Sequence, residues 1–357
     1  MRARFPDLRH RVAGTRRGRT LRLTLSWSGL LLSAAFSYLA VRHVHFRDVW
    51  HGLRTNNYWW LVPALAMLAV AVFVKALRWR YLFAQETRPA IRAVLRALII
   101  GYFFNSILPA RAGEAARVLA LKRRAGTSRA EAAATVLLER VYDVLVLLVL
   151  LFVVIPWLPH ITWLHTAVLL AVALACGLAV AVVVLAVYGL RPVHFALRPV
   201  GWLPFVSADR LTHVGENLGQ GLAGLRRPRL VLAAVLWTAL GWLAVALSTW
   251  FVLRGFGLGL SPVAGLFVVI AVNLAQILPA SPSAVGVFEA ATLVALRAYD
   301  IPDSRGLSCA LVIHVLNFIP YVAAGLFVLR GTLTSARRET DEKPVLLTAK
   351  STLRRSG

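Results

Sequence analysis

The chain has 357 residues, 59% of them hydrophobic, a mean hydropathy of +0.70 and a formal net charge of +25. That apolar fraction is too high for a soluble globular domain and predicts a polytopic, all-α membrane protein with most of its mass in the bilayer. Under the topology below most of the basic residues fall on the cytoplasmic side, so the charge reads as positive-inside bias and attraction to anionic lipid, not as a nucleic-acid signal.

Met1–Arg22 is predicted as a basic cytoplasmic arm, and Leu23–Leu329 as the transmembrane domain. Leu23–Val41 is a first span, retained because no small-residue cleavage site follows it. Arg42–Tyr58 reads as an outside loop. Trp59–Leu77 is the second span, anchored by Trp59 and Trp60, with Lys75, Arg78 and Arg80 marking its cytoplasmic end and Lys75 placed to snorkel.

Ala97–Arg124 departs from a plain span. It starts apolar, breaks at Asn105 and Pro109, and then carries Arg111, Glu114 and Arg117. A charge at the bilayer centre costs roughly 3 kcal/mol on insertion scales, so these three cannot face lipid. Broken backbone at membrane depth is tolerated only where it lines protein or a wet cavity. Basic flanks on both sides predict a re-entrant hairpin whose limbs, about a dozen residues each, are too short for full spans.

Ala132–Ile155 is an outward span carrying Glu139, Arg140 and Asp143, then come a turn at Pro156–Thr162 and an inward span over Thr166–Leu190. Arg191–Arg229 is a basic surface connection, and Leu230–Leu253 another outward span. Val263–Leu296 repeats the earlier design: Ile277-Leu278-Pro279-Ala280 copies Ile107-Leu108-Pro109-Ala110, with Asn273 before the Pro, and Gly286 and Glu289 after it. It reads as a second hairpin, entering from the opposite side. Leu307–Leu329 closes the domain, and Arg330–Gly357 is a basic cytoplasmic tail predicted to be disordered.

The expected architecture is therefore six full spans and two oppositely oriented re-entrant hairpins related as an inverted repeat, with both termini cytoplasmic in the cell membrane. Paired interrupted segments are the sequence pointer to a transport site. Glu289 lies 175 positions after Glu114, and the same offset sets His314 opposite Glu139.

Each hairpin's second limb starts just after the break, where free N–H groups and the positive dipole end favour an anion. Arg111 and Arg117 could hold a phosphate there by forked bonds. The alternative is that Arg111, Glu114 and Arg117, spaced three apart, only pair with one another. Glu139 and Asp143 share a helix face, with Arg140 able to pair with Asp143; the two acids could bind an amine, couple a proton, or neutralise the hairpin arginines. Glu289 is an isolated acid with no base nearby in the sequence, a candidate for proton coupling. His314 could titrate near neutrality or simply bond between helices. Asn105 and Asn273 would satisfy the broken backbone. Cys176 and Cys309 both lie in apolar spans, so neither a disulfide framework nor a metal site is supported.

These motifs together resemble the transmembrane domain of lysylphosphatidylglycerol synthetases and its stand-alone flippase-like relatives. The resemblance runs from about Trp59 to Leu329. It is carried by Arg78-Trp79-Arg80, Asn105-x-x-x-Pro109-x-x-x-Gly113-Glu114-x-x-Arg117, Glu139-Arg140-x-x-Asp143 and Pro279-x-x-Pro282-x-x-x-Gly286-x-x-Glu289-Ala290. Glycines usual in the family are replaced by Ala110, Ser283 and Ala284, which should stiffen both turns. The resemblance implies a flippase for a lipid with a phosphate-bearing headgroup: an anionic or aminoacylated phospholipid, or a polyprenyl-phosphate-linked sugar.

The synthetases' aminoacyl-transfer domain has no counterpart in the sequence, so their enzyme activity is not carried over and no cofactor is expected. A membrane-embedded lipid-modifying enzyme is the rival reading, weakened by the lack of a recognisable nucleophile, metal cluster or phosphate-cradling loop. A scaffold for a separately encoded lipid synthase is a third; a homo-oligomer is compatible with each.

Overall fold

A computed structural model describes residues 33–38, 42, 44–83, 85–108, 111–158, 173, 177, 228–276 and 281–353, with side chains up to 331. The basic arm, the span expected at 166–190 apart from residues 173 and 177, the connection after it as far as residue 227, Cys176, Pro109 and Pro279 lie outside the described residues. So does all of the first expected span except the helical residues 33–38.

Among the described residues there are nine helices of ten residues or more and no strand. They are α1 (Phe46–Thr55), α2 (Leu61–Tyr81), α3 (Ile91–Ile107), α4 (Ala112–Ala125), α5 (Arg129–Val154), α6 (Pro228–Gly255), α7 (Pro262–Ala275), α8 (Val287–Arg297) and α9 (Asp303–Leu353).

Among the described residues, three helical stretches are long and apolar enough to cross a membrane: Tyr58–Tyr81, Arg229–Gly255 and Asp303–Gly331. Their outer faces leave Leu65, Phe73, Leu236, Leu240, Ile319 and Phe327 exposed, a surface suited to acyl chains and not to water. This is a multi-pass membrane protein. α5, at 26 residues, has the length of a span but carries three ionisable residues in its middle.

Two expectations need correction. The loop at 42–58 contains α1, whose Val49 packs with Leu293 and Leu307. The tail after Leu329 is not disordered, because α9 continues to Leu353.

α2 and α6 pack side by side. Trp60 stacks on Phe251 with ring centroids 5.8 Å apart, and Ser248 Oγ donates to the Ala64 carbonyl at 2.7 Å. The main core joins α2, α5, α6, α7, α8 and α9 through Leu68, Leu148, Leu253, Phe267, Leu296 and Ile313. A second core holds α3 and α4 against α2 and α5 through Trp79, Leu98, Leu121 and Val136.

α3–α4 and α7–α8 are the two interrupted pairs. α3 reaches Ile107 before its break, two residues past Asn105, and its 17 residues are followed by 14 in α4. The limbs α7 and α8 have 14 and 11. At the first turn Asn105 Oδ1 accepts from the Gly113 N–H at 2.8 Å, so the side chain before the break satisfies a free donor after it. A Cβ on Gly113 would run into the Gly101 carbonyl and the Asn105 amide; the hairpin closes only because that position has none.

Candidate functional site: an ion-paired cavity between the two breaks

A cavity of about 510 Å³ opens where α2, α3, α5, α6, α7 and α9 meet the two breaks. Ten residues were expected at the site. Eight of them line this cavity, Asn105, Arg111, Arg117, Glu139, Arg140, Asp143, Asn273 and His314, and the ninth, Glu289, is bonded to His314. The tenth, Glu114, is bonded to Arg140.

Bonded to two of the lining acids is Arg78, only 1% exposed. Its guanidinium reaches Asp143 Oδ1 and Glu139 Oε1, each at 2.5 Å, and the Thr238 hydroxyl at 3.1 Å. The sequence reading placed Arg78 at a helix end, and it does lie in the last turn of α2; what that reading lacked was its burial. The burial has a plain cause: two carboxylates one turn apart on α5 cannot be buried together without a cation between them. The signal was present, since Arg78 opens one of the motifs that carry the family resemblance.

The other oxygen of Glu139 forms an ion pair with Arg117 Nη1 at 2.9 Å. The Arg117 guanidinium lies 4.8 Å from the Trp79 ring centroid, and Trp79 Nε1 donates to Thr135 Oγ1 at 3.1 Å. Asp143 Oδ1 also accepts from Trp242 Nε1 at 3.1 Å. Arg78 and Arg117 therefore balance Glu139 and Asp143.

Arg140 does not pair mainly with Asp143, 4.0 Å away, as its spacing suggested. It binds Glu114 Oε1 through Nε at 2.8 Å and Nη2 at 2.5 Å, tying α5 to α4. So Arg111, Glu114 and Arg117 do not pair with one another; each reaches a different partner across the fold.

Arg111 is the residue before α4, with φ 53° and ψ 35°, left-handed backbone that costs a non-glycine residue roughly 1 kcal/mol. From there its Nη2 donates to the Gln276 carbonyl at 2.5 Å, the residue that ends α7. This contact brings the two breaks together.

Lys75 does not snorkel outward. Its Nζ sits 3.8 Å from the Trp242 ring centroid and faces the cavity. Among the described residues, Lys75 and Arg111 are cavity-lining cations without a carboxylate partner. Sequence reasoning missed Lys75 and Trp242, because one looked like an interfacial anchor and the other like ordinary core.

In the second hairpin, Glu289 is not isolated. Its Oε2 accepts from the Gly286 N–H at 2.6 Å, and its Oε1 meets His314 Nδ1 at 2.5 Å. His314 Nε2 is 3.1 Å from Ser283 Oγ. Among the described residues Asn273 is bonded within α7, its Nδ2 donating to the Val269 carbonyl one turn back at 2.8 Å. The turn that replaces the family's usual glycines is left-handed at both Ser283 and Ala284, each with φ 57°.

The profile of the lysylphosphatidylglycerol synthase TM region matches residues 26–325. The chain belongs to that family. It is 24% identical over 223 residues to a UPF0104 membrane protein of Methanocaldococcus jannaschii, a match covering 62% of this chain and 91% of the relative. It is 25% identical over 322 residues to the glycosyltransferase AglD of Haloferax volcanii, covering 78% of this chain and 51% of that protein. This family member thus aligns with about half of the longer glycosyltransferase.

Proposed function

We propose that the protein is a lipid flippase that carries a phosphate-bearing headgroup between leaflets through the cavity. The observation that carries this reading is the pair Lys75 and Arg111: two cavity-lining cations left over after the acids of α4 and α5 are satisfied. A headgroup phosphate supplies the anion they lack, by charge-assisted bonds, while the acyl chains stay in lipid. Arg117, first expected to take the phosphate, is engaged by Glu139 and serves to hold the cavity wall.

In this reading the chain has six full spans, α3–α4 and α7–α8 are re-entrant and enter from opposite sides, and both termini are cytoplasmic. Rocking of one repeat against the other about the Arg111–Gln276 contact alternates access. The cargo is an anionic or aminoacylated phospholipid or a polyprenyl-phosphate-linked sugar; the glycosyltransferase name of one relative favours keeping the last in the set. The protein works in this role without aminoacyl transfer.

The test is translocation of fluorescent phosphatidylglycerol in reconstituted vesicles. Lys75→Ala and Arg111→Ala should each slow translocation by roughly 10- to 150-fold, because a hydrogen bond to a charged group contributes roughly 1.5–3 kcal/mol. Folded variants with unchanged rates would reject the assignment.

A further inference from the structure

Ser283, His314 and Glu289 form one hydrogen-bonded chain at the cavity wall. Ser283 Oγ lies 3.1 Å from His314 Nε2, His314 Nδ1 lies 2.5 Å from Glu289 Oε1, and Glu289 Oε2 accepts from Gly286 N–H at 2.6 Å. With Glu289 accepting through both oxygens, Nδ1 carries the imidazole proton and Nε2 offers its lone pair to the serine hydroxyl.

The parts are held in place. Gly286, at φ 86°, has no room for a Cβ beside Ser33 and Ser37, so the N–H that fixes Glu289 is itself fixed. The Phe288 ring lies 4.7 Å from the imidazole, centroid to centroid. Ser283 is in left-handed backbone, φ 57° and ψ 7°, directly after Pro282, where glycine would be unstrained. Ser283 and His314 both line the cavity.

A hydroxyl in reach of a base that a third group orients is the arrangement of an activated nucleophile. We propose that Ser283, His314 and Glu289 cleave a carboxylic ester of a lipid whose headgroup enters the cavity. Ser283 Oγ attacks the ester carbonyl carbon and its proton passes to His314 Nε2. The C–O bond to the alcohol breaks, and the alcohol leaves with that proton. Water then adds to the acyl-serine, gives a proton to Nε2, and releases the carboxylic acid as the serine hydroxyl is restored. Glu289 holds the imidazole in the required tautomer. The inference shares with the transport reading only the entry of a lipid headgroup, and its first test needs no lipid, so the two can fail separately.

That test treats the purified full chain with a serine-directed fluorophosphonate and locates the adduct by peptide mass spectrometry. The adduct is expected on Ser283. Ser283→Gly, which suits the left-handed backbone and should fold, removes it, and His314→Ala slows its formation on the order of 100-fold. In phosphatidylglycerol vesicles the wild type releases free fatty acid and Ser283→Gly does not. Ser283→Cys probed with a maleimide reports access: a labelled cysteine beside an unreactive wild-type serine shows that the hydroxyl is not activated, and an unlabelled cysteine shows that the site is closed. Either result overturns the proposal, as does an adduct without fatty-acid release.

Discussion

Arg78 shows most clearly what a single side chain does here. It neutralises Glu139 and Asp143 together from a position sealed from solvent. Removing one partner of a buried ionic group leaves charge without a counter-ion, at a cost of about 3–5 kcal/mol. Arg78→Leu should therefore destabilise the protein by that amount, read as lost thermal stability of the monodisperse peak in detergent. Arg78→Leu combined with Asp143→Leu should recover most of the loss, because Arg117 and Glu139 still balance each other. A double variant no more stable than the single one would show that Arg78 does not act through Asp143. At Ser283 and Ala284 the backbone is left-handed, a conformation in which glycine would carry no penalty.

The hairpin α3–α4 is the element that delivers charge to the cavity. Its helices approach so closely at Gly113 that a methyl group must separate them. Gly113→Ala should cost about 1–3 kcal/mol as overpacking, and it should also break the Asn105 bond to the Gly113 N–H. Proteolysis between residues 108 and 112 would report the loosened turn, and wild-type resistance there would contradict this account of the close approach. The hairpin is fastened to α5 by Glu114 and Arg140, whose side chains are 26% and 38% exposed. Solvent weakens such a pair, so a double-mutant cycle on Glu114→Gln and Arg140→Gln should give a coupling of only about 0.5–1 kcal/mol. A coupling near zero would mean that the Glu114–Arg140 pair does not fasten α4, leaving the Arg117–Glu139 pair and packing to hold it.

For the whole molecule, the question is how the two interrupted pairs face the bilayer. The Arg111–Gln276 contact sets their breaks side by side. In an inverted repeat the outer ends of the pairs then emerge on opposite surfaces. Single cysteines at Ala125 and at Ser261, in a background lacking Cys176 and Cys309, should be labelled by an impermeant maleimide from opposite sides of sealed vesicles. Labelling of both from one side would remove the inverted arrangement and, with it, the rocking mechanism.

Much of this protein is decided by local, additive chemistry, and that part was readable in the chain. Apolar stretches of span length, the high cost of charge in lipid and the helix-breaking residues required a polytopic helical protein with polar breaks gathered away from lipid. The motif order pointed to the family, and Asn105 was rightly assigned to its broken backbone. Which charges meet was not readable, because desolvation demands a counter-ion without naming it. Arg78 finds its two acids 61 and 65 residues later, and Arg140 passes over Asp143, three residues away, for Glu114, 26 residues away. His314 ends the isolation of Glu289 from 25 residues on. Only the packing of α2, α4, α5, α8 and α9 around one cavity brings those groups within reach. Among the described residues it also leaves Lys75 and Arg111 without a carboxylate partner, since short-range electrostatics depends on distance in space and not on distance along the chain.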